Sequence, residues 1–159
     1  MKRGSVVFLQ VCVLLCALLA VFLLIGMPLR EGRADNLDIL HIYIDPLILY
    51  GYATSVGFFV ALLKVFKLLG AIGRDELFTL ASVKKVRSMK YCAIIVGVMV
   101  IGAGVYIRLF HDPADDPAGF LGMSFLGAFV SAVVAIALSV FEKVLQRAVD
   151  MRSENDLTI

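Results

Sequence analysis

Two histidines lie among aspartates in this sequence, and imidazole with carboxylates is a ligand set for a divalent cation. His41 lies in the stretch DNLDILHIYID, and His111 begins the stretch HDPADDPAG. Neither stretch has a ligand spacing that is diagnostic of a metal site, and proline with aspartate is also typical of a tight turn. Solvated turns are the favoured interpretation, a metal-binding or pH-sensing site at His41 and His111 is the alternative, and we predict no cofactor.

The three cysteines do not have the spacing of a redox pair. Cys12 and Cys16 share one face of an apolar helix, and Cys92 is distant in the sequence. A thiol-oxidising enzyme would need a close, exposed pair such as C-x-x-C. We therefore predict that the cysteines are small packing residues, and we assign no catalytic residue.

Four apolar stretches dominate the chain, which has 159 residues and is 61% hydrophobic. Crossing a hydrocarbon core of about 30 Å takes about 20 apolar helical residues. The stretches predict helices at about 5–29, 46–69, 91–109 and 119–151, the last continuing beyond the membrane. The first is longer than a signal-peptide core and lacks a small-x-small cleavage site, so we expect it to be retained. The predicted fold is all-α: a four-transmembrane-helix bundle in a single membrane domain, 1–159.

Basic residues lie mostly on one side of this arrangement. Twelve of the 15 lysines and arginines flank the two termini or the loop between the second and third helices. Because lysine and arginine are enriched in cytoplasmic loops, we predict that both termini are cytoplasmic. Anionic headgroups should attract this face, and the expected location is the bacterial plasma membrane, crossed several times.

The central parts of the predicted helices contain almost no ionisable side chain, and such side chains are the usual mark of a transporter or proton path. Because these side chains are scarce, a small transporter or channel-like oligomer ranks second, as the alternative function. Its path would have to use neutral polar groups such as Tyr52, Ser55 and Ser131.

Local signals mark two helix starts and one packing face. Asp45 precedes Pro46 and Asp116 precedes Pro117, so both aspartates are predicted helix N-caps. Small residues recur every four positions along the fourth helix, where they allow close helix packing: Gly127, Ser131, Ala135 and Ser139. Packing within the chain is the favoured interpretation of this ridge, and a homodimer through helix four is the alternative.

The loop between the second and third helices reads LFTLASVKKVRSMKY. Thr79 is a predicted N-cap, and a short basic amphipathic segment follows it. Lipid anchoring is the favoured role, and a docking face for a cytosolic protein is the alternative. Direct nucleic-acid binding is not expected, because so small a membrane-held patch lacks an element that reads bases.

The chain ends in SENDLTI. This ending resembles that of a family of bacterial four-helix membrane proteins known only as a domain of unknown function, whose members end in Glu-Asn-Asp-Leu-Thr-Ile. The family's loop motif, Phe-Ser-x-x-Asn-Val-Lys-Arg-Leu-Arg, corresponds to residues 78–87, with Ser82 in the place of its asparagine. The resemblance implies no enzyme activity, and it implies a membrane partner of a small helix-turn-helix regulator.

Both motifs fall on the predicted cytoplasmic side. A free carboxylate behind alternating apolar residues suits capture as an added strand or in a backbone nest. The hypothesis is a membrane regulator that holds a cytosolic protein through its basic loop and tail. The candidate partner-binding residues are Phe78, Thr79, Lys84, Lys85, Arg87, Glu154, Asn155, Asp156, Leu157, Thr158 and Ile159.

Overall fold

The long apolar stretches of the sequence form long helices. The computed structural model describes residues 3–26, 43–110 and 116–156, and the regular secondary structure within these ranges is helical. In chain order the helices are α1 (Arg3–Gly26), α2 (Pro46–Gly73), α3 (Leu80–Phe110) and α4 (Ala118–Asp156). All four are long and apolar enough to cross a membrane, which confirms the predicted all-α fold with four transmembrane helices.

Three helices extend further than predicted at one end of the bundle. We call this the basic end; there α2 ends, α3 begins and α4 continues past the apolar run. α3 begins at Leu80 instead of residue 91, because no glycine or proline separates the basic segment from the span. α2 continues to Gly73 and α4 to Asp156. The basic end carries Lys84, Lys85, Arg87, Lys90, Lys143 and Arg147.

Aspartates cap α2 and α4 at the opposite end, as predicted. The Asp45 carboxylate accepts a hydrogen bond from the backbone N–H of Leu47 at 2.8 Å. The Asp116 carboxylate accepts one from the backbone N–H of Ala118 at 3.0 Å. Each bond satisfies an N–H that the first helical turn leaves free, and the negative charge suits the positive end of the helix dipole.

The link 74–79 reverses the chain between α2 and α3. The backbone N–H of Glu76 donates to the Ala71 carbonyl and that of Asp75 to the Ile72 carbonyl, the paired bonds of a Schellman motif. Asp75 has φ 58°, a left-handed conformation that short polar side chains tolerate better than most.

The helices pack antiparallel in chain order: α1 on α2, α2 on α3 and α3 on α4. Near one end of α1, Val6 is buried against Gly73 of α2. Near its other end, the Leu24 carbonyl accepts a hydrogen bond from the Tyr52 hydroxyl. Most other α1 side chains are exposed, such as Phe8 at 68%, so their apolar surface faces lipid.

Small residues let α3 and α4 approach closely. A Cβ added to Gly97 would lie 3.1 Å from the Cβ of Ser131, and one added to Gly104 would lie 3.2 Å from the Cβ of Ser124. Ala135 is buried in the same ridge. The ridge therefore packs within the chain, and the alternative homodimer through α4 stays a prediction that would use another face of the helix.

The buried apolar core lies at the basic end. Val86 is fully buried, and Leu145 is 2% exposed. The cluster joins three helices and consists of Leu68, Val83, Val86, Met89 and Leu145. Because this cluster lies where the apolar spans end, α3 and α4 remain packed together beyond the spans.

Candidate partner-binding site

The first turn of α3 is fixed by its own hydroxyl groups. The Thr79 hydroxyl oxygen accepts a hydrogen bond from the backbone N–H of Ser82 at 3.3 Å, and its O–H donates to the Glu76 carbonyl at 3.2 Å. Ser82 is 1% exposed, and its own O–H also donates to the Glu76 carbonyl. The predicted N-cap at Thr79 is therefore confirmed, and this side chain positions the segment that follows.

The segment after this cap presents positive and apolar side chains together. Lys84 is exposed, and the side chain of Arg87 is 54% exposed. Phe78 and Leu80 are 47% and 59% exposed beside them. Lys85 differs from its neighbour Lys84, because it is half-buried between α3 and the end of α2.

A three-residue ion pair joins this segment to α4. Glu142 is 8% exposed; its Oε1 lies 2.5 Å from Arg87 Nε, and its Oε2 lies 2.7 Å from Lys90 Nζ. Lys90 Nζ also lies 5.3 Å from the centre of the Tyr91 ring, within the range of a cation–π contact. A carboxylate with so little exposure needs both charge and hydrogen bonds to offset its lost hydration, and these two bases provide them.

Sequence reasoning missed this ion pair, although a signal for it exists. Glu142 lies three residues before Leu145, and that spacing puts both on the face of α4 that packs on α3. Lys90 lies four residues after Val86 and shares the buried face of α3 in the same way. An acid and a base on two facing apolar stripes indicate an interhelical pair.

The candidate residues at the end of the chain are only partly described. Val149 packs against the buried cluster, so α4 stays attached to α3 to about that level. Glu154 is exposed near the end of α4, about 18 Å along the helix from Glu142 at 1.5 Å per residue. Asn155 and Asp156 complete α4, and Leu157, Thr158 and Ile159 lie outside the described residues.

Two of the neutral polar groups proposed for a transport path make contacts between helices, and the third bonds within its own helix. The Tyr52 hydroxyl donates to the Leu24 carbonyl at 3.1 Å, and the Ser55 hydroxyl donates to the Tyr52 carbonyl at 2.7 Å. Ser131 packs against Gly97. Tyr52 therefore links α2 to α1 and Ser131 packs α4 on α3, whereas Ser55 bonds within α2.

The proposed metal site cannot be built from the described residues. His41 and His111 lie outside them, and within them no three His, Cys, Asp or Glu side chains group as metal ligands. Asp45 and Asp116, which flank those histidines in the sequence, serve as helix caps. Metal binding at the two histidines stays a prediction.

Comparison with known proteins places the chain among membrane proteins. Residues 31–159 match the model of a family described as Protein of unknown function (DUF2975). The chain is also 32% identical, over the whole length of both proteins, to a Bacillus subtilis (strain 168) protein named "Uncharacterized membrane protein YoaS". No solved structure matches the chain. With the four apolar helices, these findings confirm the predicted multi-pass location in a bacterial plasma membrane.

Proposed function

Because the chain belongs to the family described as Protein of unknown function (DUF2975), we propose its function from the geometry of the basic end. The protein holds a cytosolic protein against the membrane and catalyses no reaction. The docking surface consists of the exposed side chains Phe78, Leu80, Lys84 and Arg87, together with the tail, residues 154–159, which includes the last residues of α4.

The observation that carries this proposal is the buried core at the basic end. Val83, Val86 and Leu145 are each at most 3% exposed, and Glu142 ties α3 to α4 beside them. A lipid anchor needs positive charge near the headgroups, without a fixed arrangement of the side chains. A preorganised surface instead reduces the ordering cost of binding a protein.

The chemistry of the surface indicates the chemistry of its partner. Lys84 and Arg87 favour an acidic face, and the partly exposed Phe78 and Leu80 favour an apolar patch within that face. Charge complementarity of this kind chiefly sets orientation and association rate. A small helix-turn-helix regulator, the partner that the family resemblance implies, would bind through an acidic surface away from its DNA-binding helix.

The experiment places a photo-crosslinking amino acid at position 80 in the full-length protein, in its own membranes. We expect covalent capture of one soluble, acidic protein. Lys84→Glu should reduce the capture several-fold, because it reverses a charge within the surface. Arg147→Glu is the matched control: it makes the same charge change about 140° around α4 from Glu142.

The tail is tested separately by deleting residues 154–159. Loss of the captured protein would support a joint role of loop and tail. An unchanged set of crosslinked proteins in both the Lys84→Glu variant and the deletion would overturn the proposal. Solute flux through vesicles that contain the purified protein would instead establish the transporter alternative.

A further inference from the structure

A polar cavity of about 320 Å³ lies at the basic end, beside the surface described above. It is bounded by α1, α2, the link 74–79 and α3. Its polar side chains are Gln10, Lys67, Arg74, Glu76 and Lys85. Its volume is at the lower end of the range of small-ligand sites.

The charge of the cavity is unbalanced. Lys67 comes from α2, Arg74 from the link and Lys85 from α3, so three separate elements each bring a cation to one place. Among the described residues of the lining, Glu76 is the one acid. The described lining therefore has a net positive charge, which favours an anionic ligand.

A neutral donor completes the cavity on the side of α1. Gln10 is the single amide side chain in α1, and its Nε2 lies 3.4 Å from the Phe66 carbonyl, at the long end of hydrogen bonding. The amide has a second N–H that can donate to a ligand. A Cβ at Gly70 would lie 3.6 Å from Nε2, so glycine keeps the space in front of the amide open.

The faces that carry these groups continue as apolar surface. On α1, Val7 and Leu14 share the face of Gln10 by helical spacing, and they are 57% and 55% exposed. On α2, Leu63 lies four residues before Lys67 and is 61% exposed. In a ligand that has both a phosphate and acyl chains, the phosphate matches the cationic cavity and the chains match the adjoining apolar faces. A free anion would contact the cations alone.

We propose that this cavity binds the phosphate of an anionic phospholipid, with Lys67, Arg74 and Lys85 around the headgroup and the acyl chains along α1 and α2. Basic pockets between membrane helices bind anionic headgroups through such chemistry. The site uses Lys85, while the partner surface uses Lys84 and Arg87, so it does not depend on the proposed function.

The test is native mass spectrometry of the full-length protein in detergent, titrated with phosphatidylglycerol. Lys85→Gln should weaken lipid binding about fivefold, the effect of one base near an anionic headgroup. Lys84→Gln removes the same charge from the adjacent, exposed position and should leave binding unchanged. Phosphatidylcholine should bind more weakly than phosphatidylglycerol, and inorganic phosphate should not displace the bound lipid.

A second variant tests the cavity without changing any charge. Gly70→Leu should fill the space in front of Gln10 and remove the bound lipid; Arg74→Gln, in the link, should weaken binding about fivefold if the leucine variant does not fold. Equal weakening by Lys84→Gln and Lys85→Gln would overturn the proposal in favour of diffuse attraction. Displacement by inorganic phosphate would overturn it in favour of a free-anion site, and equal binding of phosphatidylcholine would overturn the requirement for an anionic lipid.

Discussion

Lys90 and Glu142 meet between α3 and α4, with Nζ 2.7 Å from Oε2. Lys90 is the last charge before the apolar run of α3, and Glu142 is the first charge after that of α4. Their side chains are 20% and 10% exposed, whereas that of Arg87, on the other oxygen, is 54% exposed. Since solvent screens an exposed pair more than a buried one, the two bases contribute unequally.

The first prediction compares these two bases. Lys90→Gln should lower the free energy of unfolding by about 3 kcal/mol, because it leaves a buried carboxylate with less compensation. Arg87→Gln should lower the free energy of unfolding much less, because solvent screens this exposed side chain. Denaturant unfolding in detergent, followed by circular dichroism, measures both. Double-mutant cycles with Glu142→Gln provide the control, and equal coupling of the two bases would contradict the prediction.

The second prediction concerns the close approach of α3 and α4. Gly97→Ala places a Cβ 3.1 Å from the Cβ of Ser131, so it should destabilise the fold by about 1–3 kcal/mol. Gly122→Ala in α4 is the control, since a Cβ there meets nothing within 4 Å. It should stabilise the fold by up to about 1 kcal/mol, because alanine loses less backbone entropy than glycine. If Gly97→Ala and Gly122→Ala both raised or both lowered the melting temperature, that result would contradict the packing described for α3 and α4.

The third prediction concerns Tyr50 of α2, whose hydroxyl donates to the Met99 carbonyl at 2.9 Å. A Cβ at Gly102 would lie 2.7 Å from that oxygen, too close for both to remain in place. Tyr50→Phe should lower the free energy of unfolding by about 1 kcal/mol. Gly102→Ala should lower it by more. The double variant should lose less free energy of unfolding than the two single variants lose in sum, since removing the hydroxyl makes room for the methyl group. Strict additivity in denaturant unfolding would show that the two groups do not meet.

The fourth prediction concerns the cap of α3. Thr79→Ala removes the oxygen that accepts from the Ser82 N–H and should cost about 1 kcal/mol. Thr79→Ser keeps that oxygen and should retain most of the stability. Hydrogen exchange should show faster exchange at the first turn of α3 in the alanine variant alone. Equal exchange in the two variants would mean that the cap does not hold this turn.

The fifth prediction concerns orientation. A green fluorescent protein fused after Ile159 should fluoresce, and alkaline phosphatase fused at the same position should be inactive, because twelve of the 15 basic residues lie on the predicted cytoplasmic side. The matched control is a fusion in the loop that contains His111, on the predicted outer side, which should give the reverse result. Phosphatase activity after Ile159 would reverse the orientation.

Features that depend on neighbouring residues could be predicted from the sequence. Asp45 and Asp116 stand directly before prolines, and Thr79 directly precedes a basic amphipathic segment, so each cap has a local signal. The four membrane spans can be predicted from the lengths of the apolar stretches alone. The continuity of the capped segment with the span of α3 was missed, because an apolar run marks the part of a helix in lipid and not the whole helix.

Contacts between distant residues could not be predicted in this way. Glu142 meets bases 52 and 55 positions away, and Gln10 reaches a carbonyl 56 positions away. Such contacts depend on how each helix is rotated about its axis, and in lipid the apolar residues around a helix give little information on that rotation. The cavity beside Gln10 and Gly70 therefore follows only from the folded arrangement.

The continuity of α3 has a mechanical consequence. The helix runs without interruption through 31 residues, and Glu142 holds it to α4 near Lys90. From that clamp, α3 extends about 15 Å to Leu80 and about 30 Å to Phe110 at 1.5 Å per residue. If the two helices tilt about the clamp, a displacement of the short arm at the basic end is therefore about doubled at the far end. In such a tilt the ion pair would be the pivot between two arms of unequal length, on opposite sides of the span.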